Sequence, residues 1–291
     1  MNRARLLERE SRAMRRLNFF RAASYPIQSI HILKDLPVHS STWKGSKMSS
    51  GKTMEWISKS SPRFKARIAG VFYLLNAVTY GYAYGHLGSK FLAAGNAAAT
   101  ANNILANETL LRICFAAEIV ACICYIVVTL LLYDLFKPVS RSISLLAAFF
   151  SLAGCAVGAL GSLFIYAPLL ILNGEPYLSV FKLEQLQALA LFSLNLHNVA
   201  ADISMVLFGV YCILIGTLIL RSTFMPRIIG AFMALAGLGY LTFLSPPLAQ
   251  SLFPHVLTPA GALGEFSLLL WLLIFGVNSQ RWKQQAAAAV E

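Results

Sequence analysis

Charge is scarce in this chain of 291 residues. Asp, Glu, Lys and Arg make up 12% of it, whereas a soluble domain carries about 25%. That shortage excludes an ordinary water-facing surface. Cysteine is also sparse. Five residues are too few for a disulfide scaffold, and none form a CxxC pair. No GxxxxGK[ST], HExxH, GxSxG or GxGxxG pattern occurs, so no nucleotide, zinc-protease or serine-hydrolase signature is present, and neither metal nor cofactor is indicated. No long internal repeat points to an inverted-repeat transporter. No apolar run of signal-peptide length (about 7–15 residues) precedes residue 68. What is abundant is apolar side chain: 57% of residues, with a mean hydropathy of +0.65. The composition is that of an integral membrane protein.

The net charge of +12 is unevenly placed. Residues 1–67 hold 15 Lys/Arg against 4 Asp/Glu, and the remaining residues hold 9 against 8. Residues 1–61 therefore read as a basic cytoplasmic leader and linker. The stretch up to Pro26 suits an amphipathic helix on anionic lipid. No nucleic-acid module accompanies the charge, so nucleic acid is not an expected partner. A transit peptide is a second reading of the leader, opposed by Glu8 and Glu10. Translation from Met48 or Met54 is a third.

A membrane-crossing helix needs about 20 mostly apolar residues. Six segments are candidates: Ile68–Leu87, Leu110–Tyr133, Ile143–Leu172, Val199–Leu220, Ile228–Leu244 and Leu263–Val277, the last being the shortest and open to an earlier start. Pro168 is expected to kink or end the third near its far end. Basic residues alternate along the connections. Lys137 and Arg141, Arg221 and Arg227, and Arg281 and Lys283 mark one side together with the leader, while residues 245–262 carry no charge. The rule that cytoplasmic loops are rich in Lys and Arg then gives six crossings with both termini cytoplasmic. The expected fold is an all-α polytopic membrane bundle over residues 62–285, followed by a tail at 286–291. Short interfacial helices lie on the outer side. One falls within Gly95–Leu111. Lys182–Asn198 is either another or an extension of the fourth crossing. Gly81 with Gly85, and Gly154 with Gly158, are GxxxG pairs that let helices approach closely.

Ionisable residues at membrane depth are costly and raise a functional hypothesis. Arg112, Glu118, Asp202 and Glu265 all fall in the first parts of helices that start at the outer face. His197 and His86 lie on that side as well. Asn195, Asn198 and Asp202 recur at i, i+3 and i+7, and Asn76 of the first segment can join them. One reading is an outward-facing polar pocket with Glu118, Asp202 and Glu265 as anchors for a cation, a proton or a headgroup. The other is that these acids pair with Arg112, asparagines or backbone and hold helices together. The cysteines read as small hydrophobes, and tryptophans near helix ends as interfacial anchors.

The segments ARIAGVFYLL (66–75), GNAAATANNILANETLLR (95–112), LYDLFKPVSRSISLLAA (132–148), FGVYCILIGTLILRSTFMPRIIGAFMALAGLGYL (208–241) and GEFSLLLWLLIFGVN (264–278) resemble a bacterial integral-membrane family catalogued as domain of unknown function 4386. The resemblance spans roughly residues 63–279. Where that family often has Gly-Asp-Ala, Asn96 stands at the acidic position here. The resemblance implies a polytopic protein of the bacterial inner membrane and brings no catalytic residue with it. The expected function is a pocket that binds or moves a small ligand, or a non-catalytic membrane factor. The alternative is a membrane-embedded enzyme acting on lipid, with Glu118, His197 and Asp202 as acid/base groups.

Overall fold

A computed structural model describes residues 61–174, 176–252 and 257–289. The basic leader, its amphipathic stretch and His255 lie outside the described residues. Among those described, the fold is all helix: α1 (Pro62–His86), α2 (Ala97–Ala106), α3 (Glu108–Phe136), α4 (Arg141–Leu172), α5 (Leu183–Arg221), α6 (Arg227–Leu241), α7 (Pro246–Leu252), α8 (Leu257–Ile274) and α9 (Ser279–Ala288). A π-helical turn, Leu87–Phe91, extends α1, and a 3₁₀ turn, Thr242–Leu244, extends α6. Polar residues start several helices where backbone N–H groups lack partners. Ser61 accepts from the Phe64 amide before Pro62, Asn96 accepts from Ala99, and Ser140 accepts from Ile143.

Four helices, α3, α4, α5 and α6 with its 3₁₀ turn, are long and apolar enough to cross a membrane. The stretch Pro259–Ile274 qualifies only when counted with α9, from which it is bent by 105°. Gly276 makes that corner at φ +68°, a conformation costly for residues with a Cβ. The first expected crossing, α1, has 25 residues, but Asn76, its glycines and its tyrosines make it less apolar than the four.

Two expectations resolve at helix ends. Lys182–Asn198 is not a separate surface helix, because α5 runs unbroken for 39 residues from Leu183. Pro168 does not end α4, which continues to Leu172. Proline supplies no N–H to the Phe164 carbonyl four residues earlier. The Ser193 hydroxyl of α5 donates to that carbonyl at 3.0 Å instead, so the lost bond is replaced from a neighbouring helix.

Helix contacts follow small residues, though not all the expected ones. A Cβ on Gly81 or Gly85 would meet nothing within 4 Å, so that GxxxG does not bring helices together within the chain. Gly154 does pack closely, against the Phe208 ring. The tightest seam is α5 on α6. A Cβ on Gly216 would lie 2.6 Å from the Gly230 carbonyl oxygen, and one on Gly237 would lie 2.5 Å from that of Gly209. A second seam joins α3 and α4 through buried polar groups. The Thr129 and Ser151 hydroxyls are 2.6 Å apart, and Ser144 donates to the Tyr133 carbonyl. Such bonds hold helices together where water cannot compete.

The basic ends of the helices gather at one end of the bundle. Lys65 at the start of α1 pairs with Asp134 at the end of α3, and Asp134 also pairs with Lys137. The tail closes over this end. Asn278 caps α9, the Trp282 indole donates to the Leu135 carbonyl at 2.8 Å, and Gln285 accepts from the Thr223 amide at 3.0 Å. Trp282 is thus an internal tie to the end of α3.

Candidate functional site

The opposite half of the bundle encloses a cavity of about 180 Å³, lined from α1, α3, α4, α5, α6 and α8. Glu118 enters it from the first part of α3, and its side chain is buried. An isolated carboxylate here would be very costly, so its surroundings matter. Ser162 of α4 donates to Glu118 Oε2 at 2.6 Å. His197 Nε2 of α5 stands 3.4 Å from Glu118 Oε1.

The histidine's other nitrogen fixes its protonation pattern. Nδ1 lies 3.3 Å from the Gly161 carbonyl, which can only accept, so Nδ1 carries hydrogen. Nε2 is then either a bare acceptor facing a protonated Glu118 or an N–H facing an ionised one. A protonated His197 beside an ionised Glu118 makes a neutral pair. The Ser162 hydroxyl also reaches the Gly158 carbonyl at 3.1 Å. Its single hydrogen serves one of these acceptors at a time. Gly161 makes this geometry possible: a Cβ there would come within 2.8 Å of the Ala200 methyl and force α4 away from α5.

A second acid, Glu265, lines the same cavity from α8. The Tyr240 hydroxyl of α6 donates to its Oε1 at 3.1 Å. Aromatic rings make much of the wall. Tyr80, Tyr125, Phe208 and Tyr240 all line it, and the Tyr125 and Phe208 centroids are 4.9 Å apart, edge to face. Tyr73, Tyr125 and Tyr211 are fully or almost fully buried, and none of their hydroxyls has a hydrogen-bond partner among the described residues. No Lys or Arg lines the cavity.

Of the eight candidate residues, four meet here: Asn76, Glu118, His197 and Glu265. Asn76 is held by donating its side-chain amide to the Ala121 carbonyl at 3.0 Å. The other four do not line the cavity. Asn195 and Asn198 are exposed and Asp202 is half-buried. Arg112 turns to the Tyr166 hydroxyl at 2.7 Å, with its guanidinium over that ring, and reaches Glu108 at 3.7 Å. Helix phase explains the split. His197, Ala201, Ser204 and Phe208 recur at i, i+4, i+7 and i+11 on the cavity face. Asn195 is two residues from His197 and so points to the far side of α5. Sequence reading missed Ser162, Tyr80 and Tyr240. Ser162 had a signal, since Ser144 and Ser151 precede it on one stripe of α4, at intervals of seven and then eleven residues. His86 lies away from the cavity, with Nδ1 at 2.8 Å from the Tyr82 carbonyl. All five cysteines are free; Cys122 and Cys155 line the cavity. Among the described residues, no group of three or more His, Cys, Asp or Glu could hold a metal ion.

Apolar helices of crossing length define the class: an all-helical protein compatible with a multi-pass membrane location. Residues 68–276 match the family described as a domain of unknown function (DUF4386), and the chain belongs to that family. Every cavity-lining residue lies within the matched range. The chain is also similar to an uncharacterized protein of Archaeoglobus fulgidus. The two are 26% identical over 151 residues, which cover 52% of this chain and 76% of the relative. No solved structure matches significantly.

Proposed function

We propose that this chain is a six-crossing protein of the cell inner membrane, with both ends cytoplasmic and a polar cavity that opens outward to bind or move a small ligand. The crossings proposed beyond the four are α1 and α8. Both carry exposed large apolar side chains, Val71, Leu75 and Val78 on one and Leu263, Phe266 and Leu270 on the other. Such rows face lipid more readily than water. The end that gathers Lys65, Lys137, Arg141, Arg221, Arg227 and Arg281 is the cytoplasmic one by the positive-inside rule. The leader then lies where anionic lipid attracts it.

One observation carries the ligand-binding reading. Glu118 with His197, and Glu265 with Tyr240, face a single cavity rather than pairing across a closed helix contact. Ion pairs kept only to join helices have no need of a space between them. A second reading, acid/base chemistry on lipid, draws on the 3.4 Å approach of His197 to Glu118. Asp202, its expected third member, does not line the cavity.

Cys122 supplies the test, since it is half-buried and lines the cavity. A small water-soluble methanethiosulfonate reagent added outside intact cells is expected to modify it. The modification should vanish in Cys122→Ala. Modification only after the cells are opened would overturn the outward-facing cavity. Proteoliposomes that convert lipid, followed by mass spectrometry, would favour the second reading.

A further inference from the structure

We propose that the cavity takes a small monovalent organic cation of the alkylammonium class, with Glu265 as its counter-charge and Tyr80, Tyr125, Phe208 and Tyr240 as its aromatic walls. This rests on the ligand-binding cavity proposed above and names the chemistry of what enters it.

Charge balance comes first. Glu118 has His197 at 3.4 Å, which balances it when protonated. Glu265 has no such cationic partner on the cavity wall, only a hydrogen bond from a tyrosine. An ionised Glu265 therefore leaves one negative charge uncompensated in a space with no Lys or Arg. A ligand bearing one positive charge completes the site, whereas an anion would meet two carboxyl groups and no fixed cation.

The walls select among cations. Aromatic faces attract ammonium groups through the ring quadrupole, and most strongly where water is excluded. Inorganic cations such as sodium instead replace their hydration shell with several oxygen ligands. Much of the lining here is Ala121, Ala201, Met205 and Phe208, which offer none. A metal of the histidine–cysteine type finds no cluster among the described residues. The buried hydroxyl of Tyr125, a lining residue at 6% exposure, has no protein partner among the described residues. The volume of about 180 Å³ suits a compact ion rather than a whole lipid.

The experiment uses the purified full-length chain in mild detergent and in proteoliposomes. Tetramethylammonium, choline and ethylammonium chlorides are compared with 3,3-dimethyl-1-butanol, the uncharged counterpart of choline, and with sodium propionate. At least one of the cations should raise the unfolding temperature saturably and slow modification of Cys122. The alcohol and the carboxylate should do neither. Glu265→Gln should abolish the response. Should that variant fail to fold, Tyr80→Leu should weaken cation affinity about tenfold, the scale of a desolvated cation–π contact. Equal effects of choline and its uncharged counterpart would overturn the cation assignment. So would a cation response unchanged in either variant, or modification of Cys122 that no cation slows. In each of those cases the cavity reading stands. If no probe acts and Cys122 is also unreachable from outside, the cavity reading fails with it.

Discussion

Pro168 sits about one turn before the end of α4 without ending it, because a serine on another helix does what its own nitrogen cannot. The bond from Ser193 to the Phe164 carbonyl is 3.0 Å long, and Ser193 is buried. Ser193→Ala should therefore leave a buried carbonyl without a donor, costing about 1–2 kcal/mol. Pro168→Ala restores the amide that the carbonyl lacks, so the serine change should cost much less in that background. Thermal unfolding of the four variants in detergent checks the coupling; additive effects would show that Ser193 does not serve this carbonyl. At this scale the sequence was partly legible. Glu118, His197, Glu265 and Asn76 stand out because ionisable and amide side chains are rare in apolar runs. Asp202, Asn195 and Asn198 stand out for the same reason but face elsewhere. Rarity picks residues without saying which way they point. Tyr80 and Tyr240 were invisible for the opposite reason, since tyrosine is common near membrane interfaces and carries no signal of its own.

Among the elements, the α5–α6 hairpin depends on four glycines. Gly209 and Gly216 are seven residues apart, as are Gly230 and Gly237, and the antiparallel pairing sets 216 against 230 and 209 against 237. Gly237→Ala brings a methyl to 2.5 Å from a backbone oxygen with no flexible side chain to yield. The expected loss is about 1–3 kcal/mol, the usual cost of overpacking. Gly81→Ala faces open space and should change stability by less than about 0.5 kcal/mol. Unfolding curves of the two variants separate the cases, and equal losses would contradict the packing described. A GxxxG search finds the packed Gly154 but also the open Gly81 and Gly85, and it misses this seam because it looks within one helix. The true seam repeats every seven residues on two helices, a pattern legible only once they are known to be neighbours. The length of α5 was similarly hidden. At 1.5 Å per residue its 39 residues reach about 58 Å, more than the roughly 40–45 Å of a whole bilayer. Its first turns therefore project, and there Leu194 shares a buried cluster with Ile104 of α2.

For the molecule as a whole, four of the six expected crossings were legible, because apolar length is the strongest signal a membrane chain carries. Their ends were not, since caps, glycine corners and projecting turns are local. The proposed topology makes a direct prediction. Reporters fused after residues 95, 140, 180, 224 and 255 should alternate outside, inside, outside, inside, outside. Two neighbours on the same side would break the six-crossing scheme. Charge argues the same way, because Lys65, Lys137 and Arg141 all meet or flank Asp134 at one end.

The corner at Gly276 has a consequence for how the protein meets lipids of different thickness. A Cβ there would come within 3.1 Å of the Arg63 backbone oxygen, in a backbone conformation that side chains rarely adopt. With α9 turned through 105° and tied down by Trp282 and Gln285, α8 cannot borrow its residues to lengthen. Its 18 residues rise only about 27 Å. As the proposed sixth crossing, α8 is as short as α6 with its 3₁₀ turn, also 18 residues, and in a membrane of longer acyl chains the lipid beside both is expected to thin locally.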